Sequence, residues 1–170
     1  MSVKIKKYAG EEIKTEDLKK GRVPVEHWKP KVRYAWSAGT AMNRFLKELK
    51  NGRIIARKCH KCGRIVVPPR MFCELCFRPT DEWVYVKDTG IINTYSISYL
   101  AADASRLKEP ILVAVIELDG ASKGIGIFHH LGEVKKENIK FGMKVKAVWK
   151  PPEERIGAIT DIKYFKPAEV

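Results

Sequence analysis

The chain has 170 residues and a formal net charge of +13, from 33 Lys and Arg against 20 Asp and Glu. This length is enough for one domain or two small ones with a buried core. The charge favours an anionic partner: nucleic acid, an acidic protein surface or a phosphorylated small molecule. No apolar stretch approaches the roughly 20 residues of a membrane span, and the first residues lack the apolar core of a signal peptide. We therefore predict a cytoplasmic protein that does not enter a membrane.

The N-terminal part is predicted to hold an extension followed by one helix. Residues 1–33 are rich in Lys and Glu and are predicted to lie on the surface or on a partner. Residues 34–52 form an amphipathic helix region, with Ser37 placed to cap its start and Asn51-Gly52 to end it. The apolar positions at helical spacing are Ala38, Met42, Phe45, Leu46 and Leu49. This face either packs in the core or, with the aromatic residues before it, borders a binding groove.

Residues 53–80 contain all four cysteines of the chain. They form two Cys-x-x-Cys pairs separated by ten residues: Cys59, Cys62, Cys73 and Cys76. Two such turns facing each other supply four thiolates for a tetrahedral metal ion. The alternatives are two disulfides, a redox dithiol or a chance pattern. They are less favoured because no cysteine is left over and no secretory segment suggests an oxidising compartment. Short strands, residues 53–57 and 64–67, are predicted on either side of the first pair, with a turn at Pro68-Pro69.

Four cysteine ligands indicate what the metal is for. A catalytic zinc keeps one position open for water or substrate, whereas four thiolates fill the tetrahedron. We therefore predict a structural zinc in a zinc ribbon, although iron fits the same four sulfurs and only metal analysis separates the two. His60, between two ligands, is predicted to be exposed rather than bound to the metal.

Residues 81–166 show short strands separated by turn signals. The strand-like segments are residues 83–87, 90–99, 111–118, 124–129, 144–150 and 158–165. The first two are predicted to form one strand bent at Gly90, and residues 131–140 an irregular or short helical link. Five strands then remain, which suits a small Greek-key barrel of the OB type. The predicted fold class is mainly β with N-terminal helices: a zinc ribbon followed by a C-terminal five-stranded OB-fold barrel.

A series of motifs runs through residues 33–165 in a fixed order: Tyr34-Ala35-Trp36-Ser37-Ala38-Gly39, Phe45-Leu46, the first cysteine pair, Val67-Pro68-Pro69-Arg70, the second pair with Phe77, then Trp83 and Gly90. In this order of motifs the chain resembles the family called domain of unknown function thirty-five, which implies an N-terminal helical hairpin, a rubredoxin-like zinc ribbon and a C-terminal OB fold. The resemblance implies an acyl-CoA-associated, non-catalytic partner of thiolases, hydroxymethylglutaryl-CoA synthases or related enzymes. An archaeal member of this type bridges acetoacetyl-CoA thiolase and hydroxymethylglutaryl-CoA synthase at the entry to isoprenoid synthesis. A thermophilic source is consistent with the absence of glutamine and the presence of only four asparagines.

Coenzyme A or an acyl-CoA is the ligand that this resemblance implies. Its phosphates, adenine and pantetheine arm require cationic side chains, an aromatic face and a slot. Arginines and aromatic residues cluster around the helix and the ribbon, which makes this region the candidate ligand surface. The candidate ligand-binding residues are Tyr34, Trp36, Arg44, Phe45, Arg64, Arg70, Phe72 and Phe77.

The sequence gives little support for catalysis by this chain alone. Every cysteine is assigned to the metal, so no thiol remains as a nucleophile. His129 and His130 lie at a strand end, where adjacent side chains point to opposite faces, so at most one of them enters a site. Two other functions stay open. One is a single-stranded nucleic-acid-binding ribbon and OB protein, which is disfavoured because strand 91–99 offers two tyrosines and no Lys or Arg. The other is a purely structural subunit without a ligand.

Overall fold

A computed structural model describes residues 13–26 and 35–168. The chain forms two compact units, Met1–Trp36 and Ser37–Val170. In the first unit, residues Thr15–Lys19 form a short helix, α1, with no buried side chain. The backbone N–H of Lys14 donates to the Asp17 carboxylate at its start, at 3.3 Å. Most of the predicted 1–33 extension lies outside the described residues, so its placement on a surface or a partner stays a prediction.

The predicted amphipathic helix is α2, Gly39–Lys50, in the second unit. Its buried face consists of Ala41, Phe45 and Leu49, so the apolar period is right but begins at Ala41 and not at the exposed Ala38. The cap prediction is shifted by one residue, because Ala38 occupies the N-cap position. The Ser37 hydroxyl instead accepts a hydrogen bond from the backbone N–H of Gly39, at 3.3 Å.

The ribbon is built on a three-stranded antiparallel sheet. Its strands are β1 (Ile54–Lys58), β2 (Ile65–Val66) and β5 (Glu82–Val86), in the order β2-β1-β5. A separate two-stranded hairpin, β3 (Phe72–Cys73) and β4 (Arg78–Pro79), carries the second cysteine pair. The prediction that residues 83–87 continue into the next strand is wrong. They form β5, which pairs along its whole length with β1, from Ile54 opposite Val86 to Lys58 opposite Glu82.

Five further strands form the OB fold predicted from the turn pattern. They are β6 (Thr89–Leu100), β7 (Arg106–Leu118), β8 (Gly126–His130), β9 (Lys144–Trp149) and β10 (Ile162–Pro167). The antiparallel order is β10-β9-β6-β7-β8, and the two edge strands approach each other at one parallel bridge, between Leu131 and Phe165. Among the described residues, no continuous ladder closes the barrel at this seam. The link before β9 contains one 3-10 turn, Lys136–Asn138, as predicted.

Gly90 has a different role from the predicted bend. A Cβ at this position would lie 2.1 Å from the backbone oxygen of Glu117 on the neighbouring strand. Since no side chain fits in that space, only glycine permits the close approach of β6 and β7 at this point. The glycine therefore serves strand pairing, while the change of sheet between β5 and β6 takes place at Lys87 and Asp88.

One hydrophobic core joins the helix, the ribbon sheet and the OB strands of the second unit. Phe45 of α2, Ile55 of β1, Ile116 of β7 and Phe165 of β10 all belong to the same buried cluster. The ribbon is therefore not a separately folded domain, because its sheet is stabilised by burial against the helix and the barrel. No helix among the described residues is long and apolar enough to cross a membrane.

Candidate metal centre and its surroundings

The two cysteine pairs occupy turns of the same design. In the first turn the N–H of Gly63 donates to the carbonyl of Cys59 at 2.8 Å, and in the second the N–H of Phe77 donates to Cys73 at 2.9 Å. The residue that closes each turn has a left-handed backbone, with φ of 72° at Gly63 and 50° at Phe77. Each turn brings its two cysteine side chains to the same side, as the spacing predicts.

The four sulfurs converge on one point. All four Sγ atoms lie within 4.8 Å of one another, and the sulfurs of Cys62 and Cys73 are 3.6 Å apart. In a tetrahedral site with zinc–sulfur bonds of about 2.3 Å, neighbouring sulfurs are separated by about 3.8 Å. All four cysteines are free rather than disulfide-bonded, and Cys59 and Cys73 are buried whereas Cys62 is exposed. The four cysteines therefore form a group that can hold one metal ion.

The surroundings of the thiols affect their protonation unequally. A hydrogen bond from the backbone N–H of Cys62 lowers the pKa of the Cys59 thiol to about 7. The neighbouring Cys62 thiol and burial raise the pKa of Cys76 to about 12. Four thiolates at this separation repel one another, and a divalent cation removes that repulsion by displacing the protons. The centre is thus suited to a cation and unsuited to free thiolates.

His60 lies beside the centre and does not join it. Its Nε2 is 2.9 Å from a carboxylate oxygen of Glu82, and its backbone N–H donates to Asp81 at 2.6 Å. Asp81 also accepts from Arg78 at 2.7 Å. The hydrogen bond from the His60 backbone lowers the pKa of Asp81, and that from the His60 ring lowers the pKa of Glu82. These contacts connect the first cysteine turn with the start of β5. The His60 side chain is exposed, which confirms the prediction.

A chain of polar and stacking contacts connects α2 with the β3–β4 hairpin. The guanidinium groups of Arg44 and Arg57 lie 4.5 and 4.7 Å from the ring centre of Trp83. Arg57 is 95% buried, and its Nε donates to the Thr80 hydroxyl at 2.8 Å. The Thr80 hydroxyl in turn donates to the carbonyl of Arg70 at 2.8 Å. The sequence indicates Trp83 only as part of the family pattern, because no spacing shows that two arginines from different elements meet on it.

The candidate ligand residues are distributed over several places. Phe45 is 1% exposed, within the core, so its assignment to a ligand surface is wrong: its ring has no free face. Tyr34 lies outside the described residues. In the first unit, Trp36 is 83% exposed. Arg64 pairs with Glu74, its Nε 3.1 Å from the carboxylate.

The remaining candidates separate into two groups. Arg70, Phe72 and Phe77 are exposed on the hairpin that carries the second cysteine pair. Arg44, exposed on α2, lines a shallow depression of about 710 Å³ at the start of that helix, together with Ser37, Thr40, Asn43 and Lys47. The described candidates of the second unit that stay at the surface therefore lie in two places, at the start of α2 and on the hairpin.

The two histidines face opposite sides of β8, as predicted. His129 is 7% exposed and His130 is exposed. The backbone N–H of His130 donates to Nδ1 of His129 at 2.9 Å, and Nε2 of His129 is 3.2 Å from the carbonyl of Ile159. This arrangement suits a neutral ring that donates from Nε2, and burial lowers the pKa of His129. The ring borders a largely apolar cavity of about 510 Å³ beside Phe128 and Tyr164, but both of its nitrogens are already used within the fold.

Two family models match adjacent parts of the chain. The rubredoxin-like zinc ribbon domain of ChsH2 matches residues 46–82, and the C-terminal OB-fold domain of ChsH2 matches residues 83–150. A solved structure that contains this type of protein, the Ltp2-ChsH2(DUF35) aldolase, has a TM-score of 0.54 over 82% of this chain and 98% of that one. Its sequence identity is 19%, so the likeness concerns the fold alone.

Closer relatives come from archaea. A DUF35 domain-containing scaffold protein of Methanocaldococcus jannaschii is 32% identical over 119 residues, which cover 68% of this chain and 82% of the relative. A scaffold protein of the same description from Methanothermobacter thermautotrophicus is 27% identical over 65% of this chain and 83% of the relative. A crystal structure of a DUF35 protein of unknown function from Sulfolobus solfataricus has 34% identity and a TM-score of 0.55, over 65% of this chain and 78% of that one. The chain belongs to the DUF35 family.

Proposed function

We propose that this protein is a non-catalytic accessory subunit that bridges acetoacetyl-CoA thiolase and hydroxymethylglutaryl-CoA synthase and binds acyl-CoA in that assembly. The observation that carries the proposal is the relationship to archaeal proteins described as scaffold proteins. The architecture supports it, because a ribbon and a barrel fixed by one core present two rigid surfaces. Two enzymes can dock on such surfaces without any chemistry from the bridging chain.

Zinc is the metal we propose for the ribbon. Cys59, Cys62, Cys73 and Cys76 would hold it, and the spacing of their sulfurs suits its tetrahedral coordination. With four thiolates bound, the ion supplies structural stability and no open position for substrate. The role of the metal is then to keep both turns and the β3–β4 hairpin in the shape that a partner recognises.

For the ligand, we propose that coenzyme A phosphates bind near exposed arginines of α2 and the ribbon. Arg44 and Arg70 are the leading candidates, since both are exposed and a chain of contacts connects them through Trp83, Arg57 and Thr80. Guanidinium groups suit phosphate because they donate paired hydrogen bonds. Trp36 and Tyr34 stay candidates for the adenine on sequence grounds.

Hydrogen exchange tests this ligand proposal. We expect acetoacetyl-CoA, added to the chain or to its enzyme complex, to slow amide exchange in residues 39–78 but not in the β7–β8 region. Protection should weaken between 50 and about 500 mM salt, because exposed charge-assisted contacts are screened. Arg44→Glu should reduce protection, whereas Arg106→Glu, a change of another exposed arginine, on the β6–β7 hairpin, should not. Equal slowing of amide exchange by acetoacetyl-pantetheine, which has no phosphate, would contradict the proposed phosphate contacts.

Nucleic acid is the competing ligand that the fold and charge allow. An OB fold next to a zinc ribbon with net charge of +13 can bind single strands through cationic grooves and stacked bases. The central strand β6 argues against this, because residues 91–99 carry no Lys or Arg and two tyrosines. One of these, Tyr95, packs on Phe141 with ring centres 5.2 Å apart, and the other, Tyr99, accepts a hydrogen bond from Lys136. Tight binding of an oligonucleotide, without any response to acyl-CoA, would favour the competing function.

Bridging is tested by size-exclusion chromatography of purified components. We expect thiolase and synthase to co-elute only when this chain is present, because the chain provides a surface for each. A purely structural subunit would give the same complex but no acyl-CoA protection, so the two experiments separate that alternative. Association of the two enzymes without the chain would overturn the bridging role.

A further inference from the structure

The second cysteine turn presents a group of exposed apolar side chains. We define the apolar knuckle as Met71, Phe72, Leu75 and Phe77, which are 42%, 50%, 59% and 82% exposed. Three of the four lie beside or between the metal ligands Cys73 and Cys76, so the metal centre fixes their positions. The corresponding part of the first turn is polar, with His60 and Lys61 between its cysteines. The apolar surface is therefore not a requirement of the turn itself.

Phe77 indicates that this surface has a use outside the chain. The turn requires a left-handed backbone after its second cysteine, and the first turn meets that requirement with Gly63 at φ 72°. The second turn has Phe77 at φ 50°, where a residue with a Cβ is strained. Packing of the ring offsets little of this strain energy, since the Phe77 side chain is 82% exposed. A strained backbone and an exposed aromatic ring both count against folding, and such outliers concentrate at sites of recognition.

The segment that carries the knuckle has more cationic than acidic residues. Residues 58–82 contain five Lys and Arg and three Asp and Glu. All three carboxylates are already in contact with Arg64, Arg78 or His60. Among the described residues, neither Arg70 nor Lys61 has a carboxylate within ion-pair distance. An apolar group with unpaired cationic side chains in the same segment complements an apolar pocket with an acidic rim.

We propose that the apolar knuckle is the docking surface for one of the two acyl-CoA enzymes, with Phe77 inserted in an acid-rimmed apolar pocket of that enzyme. This inference rests on the proposed bridging function. It adds that the apolar knuckle is the surface that contacts the enzyme and that Phe77 is the residue inserted in the enzyme's pocket. A second copy of this chain is a poorer occupant, because each copy carries a net charge of +13 and would present the same cationic rim. Aromatic residues at the centre of an interface commonly carry most of its binding energy.

The variant Phe77→Gly separates docking from folding. Glycine removes the ring and relieves the strain at φ 50°, so we expect the melting temperature to equal or exceed that of the natural protein, with unchanged metal content. Affinity for one of the two enzymes, each titrated separately by calorimetry, should fall at least tenfold. Affinity for the other should change less than twofold. A merely structural Phe77 would give the opposite pattern, a lower melting temperature with intact binding.

Two further variants serve as controls. Phe128→Ala removes a ring of the barrel that is 65% exposed, and it should leave the affinity for the knuckle's enzyme unchanged. Arg70→Glu should slow association with that same enzyme and reduce its dependence on salt. If the natural chain binds both enzymes and Phe77→Gly binds them equally well, the docking inference is wrong while bridging stands. If the natural chain binds neither enzyme, both proposals fail. A natural chain that is dimeric and becomes monomeric on Phe77→Gly would assign the knuckle to self-association and overturn the inference.

Discussion

Replacing Cys62 by Ser is expected to release the metal, unfold both cysteine turns and the β3–β4 hairpin, and abolish docking through the ribbon. Metal binding to four thiolates contributes about 10 to 16 kcal/mol in small zinc domains, which is comparable with the whole unfolding free energy of a typical domain. The turns and hairpin have no core of their own to replace it, because Met71, Phe72, Leu75 and Phe77 are exposed. The β1–β5 pair and the barrel share the large buried cluster, so they should remain folded.

The measurement combines metal analysis with hydrogen exchange. The natural protein should contain about one zinc per chain, and Cys62→Ser should contain little. Exchange should accelerate in residues 59–80 and stay slow in β7 and β8. Lys61→Ser changes the neighbouring residue of the same turn without removing a ligand, so it should keep both its metal and its protection. Intact disulfides in place of metal would show that the four-thiolate centre has been misassigned.

The second large effect is expected at Asp161, which is fully buried. Its carboxylate accepts hydrogen bonds from the backbone N–H groups of Ile156, Gly157 and Ala158 at 3.0, 2.7 and 3.1 Å. The loop so held packs on α2: a Cβ at Gly157 would lie 3.3 Å from the backbone oxygen of Leu46. Asp161→Ala leaves three donors without their acceptor, which should cost about 3 to 5 kcal/mol of unfolding free energy. Asp161→Asn keeps one acceptor and should cost less, whereas Glu154→Ala, exposed in the same loop, should cost little.

The loss of unfolding free energy in Asp161→Ala is expected to depend on pH. Burial by itself would raise the pKa of the carboxyl, but the hydrogen bonds from Ile156, Ala158 and Gly157 and the charge of Lys150 outweigh it and lower the pKa. Because the folded-state pKa lies below the unfolded value of about 3.9, the contribution is fully present above that value. It disappears as the pH falls through the folded-state pKa. Denaturant titrations should therefore give a constant difference between natural protein and Asp161→Ala from about pH 5 upward, and a shrinking one below pH 4. A difference that grows on acidification would contradict the hydrogen-bonded carboxylate.

The metal centre and the strand count could be predicted because both depend on local patterns. In each Cys-x-x-Cys turn the spacing places both sulfurs on the same side of the turn. Two such turns facing each other therefore bring the sulfurs of Cys59, Cys62, Cys73 and Cys76 together, as the structure shows. Turn residues between short apolar runs gave five barrel strands, and all five are present. The helical period likewise identified the buried face of α2.

The errors concern contacts between distant parts of the chain. Residues 83–87 resemble any half-buried strand, and only the pairing with β1 assigns them to the ribbon sheet. Phe45 has the same helical spacing whether it faces a groove or the core, so the sequence left its role undecided until packing placed it in the core. The stacking of Arg44 and Arg57 on Trp83 joins three elements, and no spacing rule indicates it.

The most direct test of the bridging role is the coupled flux from acetyl-CoA to hydroxymethylglutaryl-CoA, measured with purified thiolase and synthase in the presence and absence of this chain. We expect that omitting the chain lowers the coupled flux more than it lowers either step assayed separately, and that the chain alone turns over neither acyl-CoA. The Phe77→Gly protein should restore less of the flux than the natural chain at equal concentration. Equal coupled flux without the chain would contradict the bridging role, and turnover of an acyl-CoA by the chain alone would contradict its non-catalytic character.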